Sequence, residues 1–252
     1  MIIYKSPEEI ERMRRAGRIV AQTIQRLTQA VRPGMTTADL DRMAEEAIRS
    51  EGAVPSFKGY RGFPASICTS VNEQVVHGIP GRRVLQWGDL LSLDVGAIWE
   101  GYHGDSAVSV FVGGEAPSDT AEKLVRITDE ALEAGISQLR AGGRLSDVGH
   151  AVQQVVEGAG FGVVREYVGH GIGRAMHEDP PIPNYGERGR GPKIRPGLVV
   201  AIEPMVNVGD WRTRLLGDQW TVVTVDGSLS AHFEHTIALT EDGPEVLTAR
   251  TG

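Results

Sequence analysis

Cysteine is nearly missing from this sequence: Cys68 stands alone among 252 residues. An intrachain disulfide is thereby excluded, and a reducing compartment fits. Long apolar runs are missing too. No window approaches 18 uncharged apolar residues, and the opening "MIIYKSPEEIERMRR" lacks the apolar stretch of a secretion signal. Neither export nor membrane insertion is signalled, so a soluble cytoplasmic protein without membrane contact is expected. The third absence is an excess of positive charge, since 26 Lys and Arg face 33 Asp and Glu, a net charge of −7. That balance speaks against a general nucleic-acid binder, which must neutralise phosphates with basic side chains, and leaves contact with RNA through a local basic face open; no specific nucleic-acid partner is expected.

What is present suffices for a full core. Hydrophobic residues make up 40% of the chain, enough for one large domain or two fused halves. Ser6, Pro7 and Glu9 read as a capping box with proline in the first turn. Ile10, Met13, Gly17, Val20, Ile24, Leu27 and Val31 then follow at helical spacing and predict one buried face. A second helix is expected from Thr37 to Ser50, with Leu40, Met43, Ala44, Ala47 and Ile48 inward and Gly52 just past its end. Another pair is expected at about Ser118–Arg140 and Ser146–Glu157.

These two helix pairs superpose at an offset of 108 residues, with Ile24 on Leu132, Arg32 on Arg140, Gly34 on Gly142, Asp39 on Asp147 and Gly52 on Gly160. The repeat runs on into strand-like segments. "GDLLSLDVG" from Gly88 aligns with "GLVVAIEPM" from Gly197, so Asp94 and Glu203 each fall six residues past a glycine. "DSAVSV" at Asp105 likewise resembles "EHTIAL" at Glu234. Two pseudo-symmetric halves result, about 6–112 and 118–247, within a single catalytic domain of 1–252. Each half gives two carboxylates to one centre.

Asp94 and Asp105 sit on apolar, strand-like runs, where an unpaired carboxylate is costly. Four carboxylates around one point repel and take up protons unless a cation is present, and divalent metals are the usual solution. The segment "YVGHGIGRAMHEDPPIPNYG" offers His170 between glycines and His177 seven residues on. It matches neither a dinucleotide-binding loop nor HExxH. Glycine on both sides of His170 predicts a backbone in close approach to something, the metal centre being the expectation.

"NEQVVHGIPGRR", "LLSLDVGAIWEGYHGDSAVSV", "YVGHGIGRAMHEDPPIPNYG", "GLVVAIEPMV" and "HFEHTIALTEDGPEVLT" resemble, in order and spacing, the motifs of type I methionine aminopeptidases. The likeness covers nearly the whole chain. It implies the α+β pita-bread fold, two pseudo-symmetric halves with a central antiparallel β-sheet covered by helix pairs. It also implies a site for two divalent metal ions, drawn from Co, Mn, Fe, Zn or Ni. Carried over by position, Asp94 would chelate one metal, Asp105 and Glu234 would bridge both, and His170 with Glu203 would complete the other. A metal-bridging water or hydroxide would attack the first peptide bond and release the initiator methionine, and Glu203 would shuttle the proton. His177 would hydrogen-bond the substrate carbonyl and His77 would face the scissile amide, so both count as catalytic and substrate-binding.

Phe57, Tyr60, Phe63, Cys68, Met176 and Trp220 would wall the methionine pocket by the same resemblance. Phe57 stands where well-known bacterial members commonly have cysteine, and Met176 where they have phenylalanine; both replacements stay apolar. His103, His150, His232 and His235 match no functional position and are expected to be structural. The implied partners are nascent polypeptide N-termini, with a small second residue preferred, and transient contact with the ribosome surface by a monomer. Prolidases and aminopeptidase P share the fold but usually carry a long extra N-terminal domain. The type II methionine enzymes carry a helical insertion of about 60 residues where this chain has 30, between Glu203 and Glu234. A third alternative, a binding module that has lost its ligands, is disfavoured because all five ligand positions are filled.

Overall fold

The computed structural model describes residues 1–250. Helices α1 (Pro7–Ala30) and α2 (Thr37–Ser50) are followed by strands β1 (Val54–Pro55), β2 (Ile67–Val71), β3 (Gln74–Val76), β4 (Leu90–Trp99) and β5 (Tyr102–Phe111). Helices α3 (Asp119–Ser137) and α4 (Ser146–Gly158) come next, then β6 (Gly162–Val163), β7 (Gly169–Gly171), β8 (Glu178–Ile182), β9 (Val199–Ile202) and β10 (Met205–Asn207). The chain closes with β11 (Thr213–Leu215), β12 (Val222–Thr224), β13 (Ser230–His232), β14 (His235–Thr240) and β15 (Gly243–Val246).

The first helix starts as its sequence predicts. Ser6 Oγ accepts from Glu9 N, and the Glu9 carboxylate accepts from Ser6 N at 2.9 Å. Thr36 and Asp39 repeat the device at α2. The predicted inward faces are buried, with Val31 and Met43 at their margins. Helix α3 ends at Ser137, three residues before the predicted Arg140, because the chain tightens: Leu139 N donates to Ile136 O, and Arg140 N to Gln138 O. Leu139 is still fully buried.

Among the described residues four antiparallel sheets form. β1-β4-β2 with β5 on β4 makes one, and β15-β14-β9-β7-β8 makes another; β13-β10-β6 and β11-β12-β3 are smaller. The two larger ones are stitched where β5 meets the start of β14. Glu234 N donates to Ala107 O at 3.0 Å, and Ala107 N returns to Glu234 O at 3.3 Å. Thr236 Oγ1 accepts from Asp105 N at 3.0 Å and donates to Asp105 O at 2.8 Å. Helix α1 lies close on β5 because Gly104 carries no side chain: a Cβ there would lie 2.8 Å from the Gly17 nitrogen. The helices cover this joined surface, and one core runs through both halves from Ile24 to Leu132 and Ile202.

Candidate metal centre

Strand alternation brings the candidate ligands to one face. Asp94 pairs with Ala107 and Gly96 with Asp105, so the two aspartates are diagonal neighbours on the same side of the hairpin. In the other sheet His170 pairs with Ala201, and Ala201 with Thr236. Glu203 and Glu234 lie two residues from Ala201 and Thr236, so they share that face with His170. The β5–β14 stitch then sets the two faces against each other. One ligand atom each from Asp105, His170 and Glu234 falls within 4.8 Å of the others.

Asp105, Glu234 and His170 are buried, and Asp94 and Glu203 are half-buried. Among the described residues no lysine or arginine pairs with any of the four carboxylates, and the ion-pair neighbours of Glu203 are His170 (3.6 Å) and His232 (3.7 Å). Oδ1 of Asp94 and Oδ1 of Asp105 are buried without a hydrogen-bond donor. Burial pushes the Asp94 carboxyl up to about 7. It pushes Asp105 well above the usual carboxylate range too, with help from Glu234 and Asp94. Glu203 is raised by burial and then by Asp105, and Glu234 by burial and then by Glu203. His170 moves the other way, down to about 3 through burial and then His177, so its imidazole is neutral and free to ligate. Orphaned buried oxygens, crowded acids and a neutral imidazole make a donor set that fits divalent cations.

A cavity of about 660 Å³, counted to its open mouth, joins this cluster to the predicted pocket. Its lining holds Asp94, Asp105, His170, Glu203 and Glu234 together with Phe57, Tyr60, Phe63, Cys68, His77, Met176, His177 and Trp220. Every predicted site residue is therefore in one place. Phe57, Phe63, Cys68 and Met176 form a buried apolar cluster, and Tyr60 and Trp220 pack on its edge. Gly96 makes the room: a Cβ there would lie 2.6 Å from Phe57 Cε1.

The histidines at the rim are held by aromatic neighbours. Tyr60 Oη lies 2.8 Å from His177 Nδ1, and the His170 and His177 ring centroids are 4.2 Å apart. The His177 loop is anchored by a buried Lys5–Glu178 ion pair. His77 turns out of β3 with φ +59°, rare for a non-glycine residue, and its ring meets Tyr167 and Trp220 edge-on. Burial lowers the His177 imidazole and takes His77 down to about 4.

One expectation needs correcting. The glycines flanking His170 do face a close approach, but to neighbouring strands: a Cβ on Gly169 would lie 2.4 Å from Ala201 O, and one on Gly171 2.2 Å from Asp179 O. They let β7 fit between β8 and β9. Arg61, Tyr167, Ala65 and Ile79 also border the site and were not predicted. His232 was expected to be merely structural, yet its Nε2 faces Glu203. The alternation that places it there, two residues before Glu234 and across from Met205, is readable only once the strand pairing is known. His103, His150 and His235 instead bond Ser56, the Gly186 carbonyl and Thr248.

The sequence profile of Metallopeptidase family M24 matches residues 11–241. The chain belongs to this family. It is 56% identical over 249 residues to a methionine aminopeptidase of Clostridium acetobutylicum, spanning 98% of this chain and 99% of that one. With methionine aminopeptidase 1 of Bacillus subtilis it is 55% identical over 248 residues, again 98% and 99% of the two chains. The crystal structure of a methionine aminopeptidase from Thermotoga maritima superposes with a TM-score of 0.96 at 49% identity, covering 98% of this chain and 99% of that one. The prolidase from Pyrococcus furiosus superposes at 0.81 with 21% identity and shares the fold; this chain spans 66% of it. The architecture is thus the pita-bread fold, and an M24 metallopeptidase is a hydrolase that uses divalent metal. Among the described residues no helix is long and apolar enough to cross a membrane.

Proposed function

We propose that this protein removes the N-terminal initiator methionine from nascent proteins and peptides that carry a small second residue. The observation that carries this reading is the single cavity in which a carboxylate–histidine cluster continues into a wall of Phe57, Phe63, Cys68 and Met176. Asp94, Asp105, His170, Glu203 and Glu234 would hold two divalent ions, and availability rather than ligand type selects among Co, Mn, Fe, Zn and Ni. Such ions lower the pKa of water and polarise a peptide carbonyl.

The chain's own residues do the rest. The apolar wall takes the methionine side chain and sets the first peptide bond against the carboxylates. Glu203, held near His170, takes a proton from the attacking water and passes it to the leaving amine. With Tyr60 Oη donating to Nδ1, the neutral His177 carries its proton on Nε2 and donates it to the carbonyl oxygen, where negative charge develops. His77, also neutral, borders the amide side. The second residue would lie at this rim, where the proposed preference is for Gly, Ala, Ser, Thr, Val, Pro or Cys, with Leu, Lys or Phe refused.

On this reading residues 1–252 form a single catalytic domain of two halves, about 6–112 and 118–247. It works as a cytoplasmic monomer that meets nascent N-termini, with transient contact at the ribosome surface. A Met-X peptide series beside a Y-Ala series tests the specificity. Losing a methylene or the sulfur from the first side chain should cost roughly 10- to 200-fold per group in kcat/KM. Equal cleavage of Met-Ala and Leu-Ala peptides, or a demand for proline in second place, contradicts the proposal.

A further inference from the structure

His232 ends β13 almost wholly buried, the residue 2% exposed, and its Nε2 has no hydrogen-bond partner. A buried polar nitrogen without a partner is costly, so such an atom calls for a role. The group facing it is Glu203, whose Oε2 lies 3.7 Å away. The register explains the meeting: His232 pairs with Met205 across β10, and Glu203, two residues earlier, lies on the same side. Glu203 is held from other directions too. Oε1 is 3.6 Å from His170 Nε2, and the Glu203 carbonyl accepts from Asn184 Nδ2 at 2.9 Å.

We propose that His232 is a positioning residue whose Nε2–H donates to Glu203 Oε2 and fixes the orientation of that carboxylate. With the site loaded Glu203 is ionised, and the hydrogen then belongs on Nε2, because a lone pair there would face a carboxylate oxygen and repel it. The separation exceeds a hydrogen bond by about half an ångström, a gap that a small rotation of either side chain closes when the site is loaded. His232 then acts on Glu203 as an outer partner acts on any ligating carboxylate, restricting it to one geometry. The inference rests on the reading of Glu203 as ligand and proton carrier. It adds a residue for which the family motifs assigned no role.

The test substitutes His232 by Gln, Asn and Leu. Glutamine places an amide nitrogen near the position of Nε2, whereas asparagine places one near Nδ1, so only the first can reach Glu203. Chelated protein is titrated with Mn²⁺ by calorimetry, and kcat and KM are measured on a Met-Ala-Ser peptide. His232→Leu and His232→Asn should each lower Mn²⁺ affinity and kcat by roughly 10- to 100-fold with KM little changed, and His232→Gln should recover most of both. A Leu variant that binds Mn²⁺ and turns over like wild type overturns the proposal, as does a Gln variant as impaired as Asn. Should the Leu variant not fold, the Gln and Asn pair decides. A wild-type protein that binds Mn²⁺ but leaves the peptide intact contradicts the proposed function, while the affinity series still judges His232.

Discussion

Replacing Asp94 by asparagine separates the cost of the carboxylate cluster from its use. The unfolded chain releases the Asp94 proton near pH 3.8, whereas the folded, metal-free protein keeps it to about pH 7. Between those values the folded state binds the extra proton, so stability falls as pH rises. The penalty is absent below the window and full above it. About three pH units at 1.36 kcal/mol each set a ceiling on the order of 4 kcal/mol. Buried neutral histidines add the opposite slope, because unfolding lets them take up protons below about pH 6.5. His170, His232 and His235, each held near 3, and His77 and His103, near 4, all contribute. The wild-type curve therefore mixes both trends, and the difference between variant and wild type removes the histidine slope and reports Asp94 together with its repulsion of Asp105, Glu203 and Glu234. Urea unfolding followed by circular dichroism, with chelator at pH 4, 6 and 8, measures that difference. Metal-free Asp94→Asn should be the more stable protein at pH 8, by up to about 4 kcal/mol, with the gap closing toward pH 4. Saturating Mn²⁺ should reverse the order by stabilising only the protein that retains all its ligands. A gap independent of pH, or a metal-free wild type more stable than the variant at pH 8, refutes the reasoning.

His177→Ala should lower kcat by roughly 10²-fold while calorimetric Mn²⁺ affinity stays unchanged, and loss of metal would show His177 to be a ligand. Gly96→Ala places a Cβ 2.6 Å from Phe57 Cε1 and 2.8 Å from Ser56 Cβ. The ring must shift, so urea midpoints should reveal a loss of about 1–3 kcal/mol and KM for Met-Ala-Ser should rise; an unchanged KM would contradict the pocket assignment. Burial beside Asp94 pushes the Cys68 thiol up, so iodoacetamide at pH 8 should label the native protein far more slowly than the urea-unfolded one. Equal labelling rates would place Cys68 outside the buried wall.

The helix pairs were legible because caps and apolar spacing are local signals: Ser6 with Glu9, and the alternation from Ile10 to Leu27, need no tertiary information. Asp94 and Asp105 were legible for a different reason, since charge on strands otherwise apolar demands a partner. The fine division of the sheets was not, because the short strands β6, β7 and β10 to β13 carry too few residues to show a period. The same limit hid His232, which becomes a neighbour of Glu203 only through the pairing of β13 with β10. The glycines around His170 announced a close approach without saying to what, and the backbone of β8 and β9 turned out to be the neighbour.

On the proposed reading, the four carboxylates and His170 tolerate their crowding because they hold metal. Calorimetric titration of Mn²⁺ into chelated wild-type protein and Asp105→Ala tests it most directly. Wild type should bind two ions per chain and lose the pair when the shared ligand Asp105 is removed. Absence of binding to wild type, or full two-ion binding by Asp105→Ala, would contradict it.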